Sequence, residues 1–187
     1  MKVIGGEWRG RSIRAPRDTG ARPTASRLRE ALFSAILSRV RGATVIDLFA
    51  GSGALGIEAL SRGAAFVEFV EIDPRALRAV GKNLKTLGAD PASFRLRRAD
   101  AWNYFERLDD EVPEGSILIM DPPYADDLPA RCLPVAAEGV ESGRLQAFVL
   151  EHPADAPEPE LALPPGLDLR RRRHGHGAFT LLTRSDA

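Results

Sequence analysis

Ala43-Thr44-Val45-Ile46-Asp47-Leu48-Phe49-Ala50-Gly51-Ser52-Gly53-Ala54-Leu55-Gly56 is the stretch that decides the fold. Thr44 to Phe49 is apolar and β-branched, with Asp47 as its one charged residue, the pattern of a strand buried on both faces of a parallel sheet. It runs directly into Gly51-Ser52-Gly53-Ala54-Leu55-Gly56, a G-x-G-x-x-G, after which Ile57, Ala59 and Leu60 begin a helix. Such glycines let the backbone turn sharply and let a ligand lie against bare main chain.

Two acids narrow the choice of ligand. Glu71 stands 20 residues beyond Gly51, at the end of a second apolar run, Ala65 to Val70, where a carboxylate accepts hydrogen bonds from ribose hydroxyls. Asp47 sits at the mouth of the glycine loop, where the pyrophosphate of a dinucleotide would meet a like charge in a partly dry cleft. A ligand with a ribose, no phosphate and a cationic amine suits this pair, and S-adenosyl-L-methionine has all three. The plainer alternative for Asp47 is a buried aspartate hydrogen-bonded to the glycine loop.

Working outward, 187 residues make one domain with a small appendage. Apolar residues are 44% and charged residues 28%, ordinary for a globular protein, so general disorder is excluded. Cys132 is the single cysteine, so no internal disulfide forms. No apolar run approaches about 18 residues and no signal-peptide core opens the chain, so the expectation is a cytoplasmic protein without membrane contact. The zero net charge hides an asymmetry: residues 1 to 42 hold 10 Lys and Arg against 3 Asp and Glu, and the rest is correspondingly acidic. A basic segment on an acidic body suits a polyanion such as nucleic acid.

Residues 2 to 5 and 11 to 15 flank the turn-rich Gly6-Glu7-Trp8-Arg9-Gly10 and predict a β-hairpin. It would present Trp8, Arg9, Arg11 and Arg14, with Arg22 in the following loop, for stacking on bases and neutralising phosphates; alternatively Trp8 packs the hairpin onto the body. The expected division is a basic arm and loop at 1–23 and the main domain at 24–187. Thr24 is a candidate cap for a helix with an apolar stripe at Leu28, Leu32 and Ile36, whose nearby Arg22, Arg27 and Arg29 call for an anionic partner or Glu30. Asp73-Pro74 opens and Gly88 closes a helix carried by Leu77, Val80, Leu84 and Leu87. Ser93 to Arg97, Ser116 to Met120 and Gln146 to Leu150 predict further strands, with a helical pattern at 127 to 139. After a proline-rich connection, Leu167 to Arg173 and Ala178 to Thr183 predict a closing hairpin around His174-Gly175-His176-Gly177. The sum is a doubly wound parallel α/β sheet with an antiparallel edge. Asp100, after the third of these strands, is a candidate acceptor for an adenine amine or a helix cap. His152, His174 and His176 lack the spacing of a metal site, and Cys132 falls in a helical pattern as a core residue.

Asp121-Pro122-Pro123-Tyr124 follows a buried strand. The prolines stiffen the segment and leave outward-facing carbonyl acceptors. A stiff acceptor set beside an aromatic ring matches a flat base with an exocyclic amine: Asp121 and the Pro122 carbonyl take the amine protons and Tyr124 stacks on the ring. Methyl transfer to that amine is a matter of positioning and needs no catalytic nucleophile. The base has to leave its stack first.

With these residues in view, the chain resembles the RsmD family of bacterial ribosomal RNA methyltransferases. The resemblance is carried by Gly6 to Arg11, Arg22-Pro23-Thr24, Arg29 to Phe33, Asp47 to Gly56, Glu58 to Ala64 and Asp121 to Tyr124; the tail with Arg170 to Arg173 matches loosely. Tyr124 stands where relatives have Phe, which preserves stacking. The resemblance implies a seven-stranded Rossmann-like class I methyltransferase fold that uses S-adenosyl-L-methionine. It implies a cofactor site at Asp47, Phe49, Gly51, Ser52, Gly53, Glu71, Ile72, Asp100 and Ala101, with Asp121, Pro122, Pro123 and Tyr124 at the target base. It further implies methylation of a guanine N2 amine in 16S rRNA, within a 30S subunit or assembly intermediate, by a monomer. The competing expectations are a DNA adenine-N6 or cytosine-N4 methyltransferase and a non-catalytic RNA-binding assembly protein.

Overall fold

The computed structural model describes residues 1–15, 26–123, 128–157 and 163–185. Each apolar run forms a strand: β1 (Thr44–Leu48), β2 (Phe66–Glu71), β3 (Phe94–Arg98), β4 (Ser116–Met120) and β5 (Leu145–Pro153), closed by β6 (Leu167–His174) and β7 (Gly177–Arg184). Among the described residues these form a seven-stranded sheet in the order β3-β2-β1-β4-β5-β7-β6. β1 to β5 pair in parallel and β7 is antiparallel to both its neighbours.

The helices are α1 (Ser26–Ala35), α2 (Leu37–Val40), α3 (Ala54–Ser61), α4 (Pro74–Leu87), α5 (Ala101–Phe105), α6 (Leu108–Glu111) and α7 (Leu128–Glu141). Asp73 caps α4, accepting from Arg75 N at 2.8 Å, and Gly88 ends it, as the sequence predicts. The short α5 and α6 have no periodic signal of their own. Alternate strand residues feed two separate cores. Val45, Val67, Phe69, Ile117 and Val149 pack with α1, α3 and α4; Ile46, Leu48, Val70, Leu118 and Phe148 pack with α5, α6 and α7. Burial on both faces is why β1 shows no polar alternation. From β1 the chain winds outward to β2 and β3 and then returns to β4 on the other side, which puts a crevice between the carboxyl ends of β1 and β4.

Asp47 shares the face of Val45 and so points toward α3. Its Oδ2 accepts from Gly56 N at 2.9 Å, and the residue is 1% exposed. Gly56 is obligatory: a Cβ there would overlap the Phe69 ring and stand 2.9 Å from Asp47 Oδ2. Burial pushes the Asp47 carboxyl well above the ordinary value of 3.8; the Gly56 N–H pulls the other way, and the charges of Asp121 and Glu71 add to the rise.

The N-terminal segment forms the expected hairpin, but packed onto the body. Its two arms pair antiparallel through the Lys2–Ser12 bridge, with Val3 N donating to Arg11 O and Ile13 N to Met1 O, each at 2.9 Å. Val3, Trp8 and Ile13 belong to the α1-side core. Glu58, 1% exposed on α3, clamps the segment by accepting from Ile4 N and Gly5 N, each at 2.8 Å, and it also accepts from Arg62 Nε at 2.8 Å. Ser61 Oγ donates to Gly5 O at 2.6 Å and accepts from Trp8 N at 2.9 Å. The backbone lies so close that a Cβ at Gly6 would overlap the Ser61 carbonyl. Trp8 is therefore a core residue, 8% exposed, and the expectation that it stacks on a base is corrected. Arg11 is likewise engaged, donating to Leu87 O at 2.7 Å and Thr86 O at 2.5 Å at the end of α4. The anionic partner of Arg29 is Glu58, at 3.7 Å, while Glu30 is exposed. The expected boundary at residue 23, the cap Thr24 and Arg22 lie outside the described residues.

Two outcomes follow from these contacts. Glu58→Ala leaves Arg29 buried without its carboxylate and frees two backbone donors, so urea unfolding is expected to show a loss of about 3–5 kcal/mol; a loss below about 1 kcal/mol would contradict the clamp. Native Asp47 holds its proton to higher pH than the unfolded chain does, so its contribution to stability is complete below 3.8 and declines as pH rises through the raised native value. Asp47→Asn keeps an acceptor for Gly56 N–H and removes that titration. Its unfolding free energy is expected to fall less than that of the wild type between about pH 4 and about pH 7, and parallel profiles would contradict this.

Candidate active site

Four strand ends converge on the crevice. β1 delivers the loop from Phe49 to Gly53, β2 delivers Glu71 and Ile72, β3 leads to Asp100, and β4 delivers Asp121 to Pro123. Asp121 N donates to Leu48 O at 3.4 Å, tying the loop after β4 to the end of β1. The cofactor residues and Asp121 expected from sequence are thus brought to one end of the sheet. Tyr124 lies outside the described residues.

Glu71 spans the loop and its own helix. Its Oε2 accepts from Gly51 N at 3.0 Å and its Oε1 accepts from Asp73 N at 2.9 Å. A carboxylate offers about four acceptor positions, so both oxygens retain capacity for a pair of ribose hydroxyls. Ile72, directly after it, is 58% exposed, one of two large apolar side chains more than half exposed among the described residues. An apolar surface beside a ribose acceptor suits the face of an adenine. Asp100 caps α5, its Oδ1 accepting from Asn103 N at 2.9 Å, so the cap expectation is met with the carboxylate still at the strand end. Asp47 follows the plainer of its two sequence readings: it shapes the loop from inside and is not presented on the surface.

Trp102, Arg131 and Asn83 support the site without any sequence signal, and they act in part through the expected Phe49. Phe49 adopts φ 59°, in the left-handed region, at a cost of order 1–3 kcal/mol. Its ring meets Trp102 edge-on at 5.2 Å, and the Arg131 guanidinium stands 4.2 Å from the Trp102 centroid. This stack joins the glycine loop, α5 and α7. Asn83, buried on α4, donates to Ser52 O at 3.2 Å and to Arg14 O at 2.9 Å and accepts from Arg14 N at 2.9 Å. It holds the loop and the N-terminal segment with one amide. Only long-range pairing reveals these roles, since each partner is distant in sequence.

His152 is taken up by structure: Nδ1 donates to Pro153 O at 2.8 Å, which leaves Nε2 to accept from Thr180 Oγ1 at 2.8 Å. Burial keeps this imidazole below its ordinary pKa. Cys132 is buried in α7.

A family model described as conserved hypothetical protein 95 matches residues 1–181. The chain is 40% identical over 124 residues to ribosomal RNA small subunit methyltransferase D of Escherichia coli K12, covering 66% of this chain and 60% of that protein, so the match spans less than two thirds of that relative. It is 31% identical over 138 residues to the protein of the same description from Haemophilus influenzae, covering 74% and 71%. A solved Escherichia coli structure, provisionally described as a methyltransferase, superposes with a TM-score of 0.77 at 30% identity over 98% of this chain and 97% of that one. The fold is that of the class I methyltransferases, and the chain belongs to the conserved hypothetical protein 95 family, the RsmD family of the sequence resemblance.

Proposed function

We propose that this protein transfers a methyl group from S-adenosyl-L-methionine to the exocyclic N2 amine of a guanine in small-subunit ribosomal RNA. The observation that carries the reading is the convergence of Glu71, Asp100 and Asp121 with the Gly51–Gly53 loop at the β1/β4 crevice. The acids make the crevice hostile to a pyrophosphate and suited to a cationic ligand with a ribose. Relatives described as ribosomal RNA small subunit methyltransferase D support the substrate class.

Bound there, the cofactor supplies an electrophilic sulfonium methyl. Glu71 accepts the ribose hydroxyls, Ile72 and Ala101 flank the adenine, and Asp100 accepts from its amine. Phe49, Ser52 and the Gly51 and Gly53 backbone line the remainder of the cofactor. Asp121 and the Pro122 carbonyl accept from the two amine protons of the guanine, and Tyr124 stacks on its ring. Pro123 keeps the segment stiff. These contacts aim the nitrogen lone pair at the methyl, so the residues act by positioning. Asp121 or water takes the proton that methylation makes acidic. Arg9, Arg14 and Arg22 supply phosphate contacts, and the protein acts as a monomer on RNA within an assembling subunit in the cytoplasm.

Incubation of purified protein with labelled S-adenosyl-L-methionine and unmodified small subunits, free small-subunit RNA or duplex DNA is expected to yield N2-methylguanosine from the ribosomal substrates. Methyladenine or methylcytosine in DNA would overturn the assignment. Asp121→Ala is expected to abolish transfer while cofactor affinity, read by calorimetry, stays within about threefold; full activity would remove Asp121 from the mechanism. Glu71→Gln replaces a charged acceptor, so the cofactor Kd is expected to rise about 10- to 100-fold. An unchanged Kd would place the ribose elsewhere.

A further inference from the structure

We propose that the outer hairpin of the sheet, through Arg170, Arg172 and the turn at His174 to His176, is a second RNA phosphate-binding flank of the active site, opposite the one formed by the N-terminal segment. The inference rests on the RNA methyltransferase reading and adds a docking surface to it.

The strand register places this hairpin. β6 runs from Leu167, paired with Arg184, to His174, paired with Gly177, and Gly177 in turn pairs with Pro153 at the carboxyl end of β5. The turn therefore lies at the same end of the sheet as the loops that build the crevice. Charge is graded along β6 in that direction. Leu167, Asp168 and Leu169 at the far end are half-buried, while Arg170, whose Nε donates to Asp168 Oδ2 at 2.6 Å, and Arg172, Arg173, His174 and His176 toward the near end are exposed, leaving a net positive excess there. An edge strand protected only against edge-to-edge association needs charge along its length. Concentration at the active-site end calls for a partner there.

Strand alternation gives the face. Leu167 and Leu169 pack against the α7-side core, so Arg170, Arg172 and His174 stand on the α1 side. The first turn of α1 reaches this hairpin, since a Cβ at Gly177 would lie 2.9 Å from Leu28 Cδ2. Exposed Arg27 precedes Leu28. The first turn of α1 and the hairpin thus lie on one face of the sheet. Arg14, held by Asn83 next to the glycine loop, supplies positive charge beyond the other side of the crevice.

The spacing suits a nucleic-acid strand. β6 is three strand positions from β4, about 14 Å at about 4.8 Å each. That is about four nucleotides at a rise of about 3.4 Å. With the target base at Asp121, phosphates a few nucleotides away fall on the hairpin. The acids of the crevice repel phosphate and the flanks attract it, so the charge pattern selects a strand that presents a base inward and its backbone outward.

The test measures binding of free small-subunit RNA against salt concentration for Arg170→Ser/Arg172→Ser, with Arg41→Ser, at the amino end of β1, as the control. The double variant is expected to bind about tenfold more weakly at physiological salt and to reduce the slope of log K against log salt by about 1.4, about 0.7 for each lost contact to a single strand. Cofactor affinity is expected to be unchanged, Arg170→Lys/Arg172→Lys to restore the slope, and Arg41→Ser to leave it as in the wild type. An unchanged slope in the double variant, or an equal reduction in Arg41→Ser, would overturn the proposal. Should the serine variant aggregate, the single Arg172→Glu variant is expected to reduce the slope by about 0.7, one contact's share, and an unchanged slope there would equally overturn the proposal. Wild-type methylation of the RNA is scored in parallel: its absence counts against the methyltransferase reading, whereas methylation with an unchanged slope counts against the flank alone.

Discussion

The hydrogen bond from Gly56 N to the buried Asp47 carboxylate governs the geometry of the crevice. It joins the end of β1 to the first turn of α3 across the glycine loop, where the absence of a side chain at residue 56 lets helix, carboxylate and Phe69 ring share one space. A carboxyl group in such surroundings is costly to desolvate, and its raised pKa is the measure of that cost. In return the loop has one path. With that path set, Gly51 N points at Glu71, and Phe49 is forced into the left-handed region against Trp102.

From the same helix, the constraint extends to the start of the chain. α3 is buried along its whole length, so Glu58 and Ser61 meet their polar needs inside the protein: Glu58 from Arg62, Arg29 and the backbone of residues 4 and 5, and Ser61 from the backbone of residues 5 and 8. Asn83 closes the circuit by holding Arg14 and Ser52 together. The N-terminal segment is therefore part of the wall that positions the loop. Its exposed arginines are carried on a fixed support beside the crevice, the arrangement that the proposed placement of a substrate strand requires.

The acidic crevice and its basic flanks divide the electrostatic labour. On the proposed function, carboxylates at the ends of β2, β3 and β4 favour a cationic cofactor and disfavour phosphate, while positive side chains around them hold the RNA backbone at a distance. A flat base can then enter a site that its own phosphates cannot. The topology makes this possible, since the carboxyl ends of β1 and β4 face each other while β6 and the N-terminal segment lie to either side.

The sequence by itself determined the strands, the loop after β1, the acid at the end of β2 and the proline segment after β4. Each of these is written locally: doubly buried strands are continuous apolar runs, helices carry caps and periodicity, and glycine or proline marks where the backbone is special. Tertiary structure alone decided that Trp8 is core and not a stacking platform, that Arg29 pairs with Glu58, that Asp47 points inward, and that Asn83, Trp102 and Arg131 support the site. A charged or aromatic side chain has the same local signature whether it faces water or a partner. Which it faces depends on what the sheet topology brings within hydrogen-bonding distance from dozens of residues away.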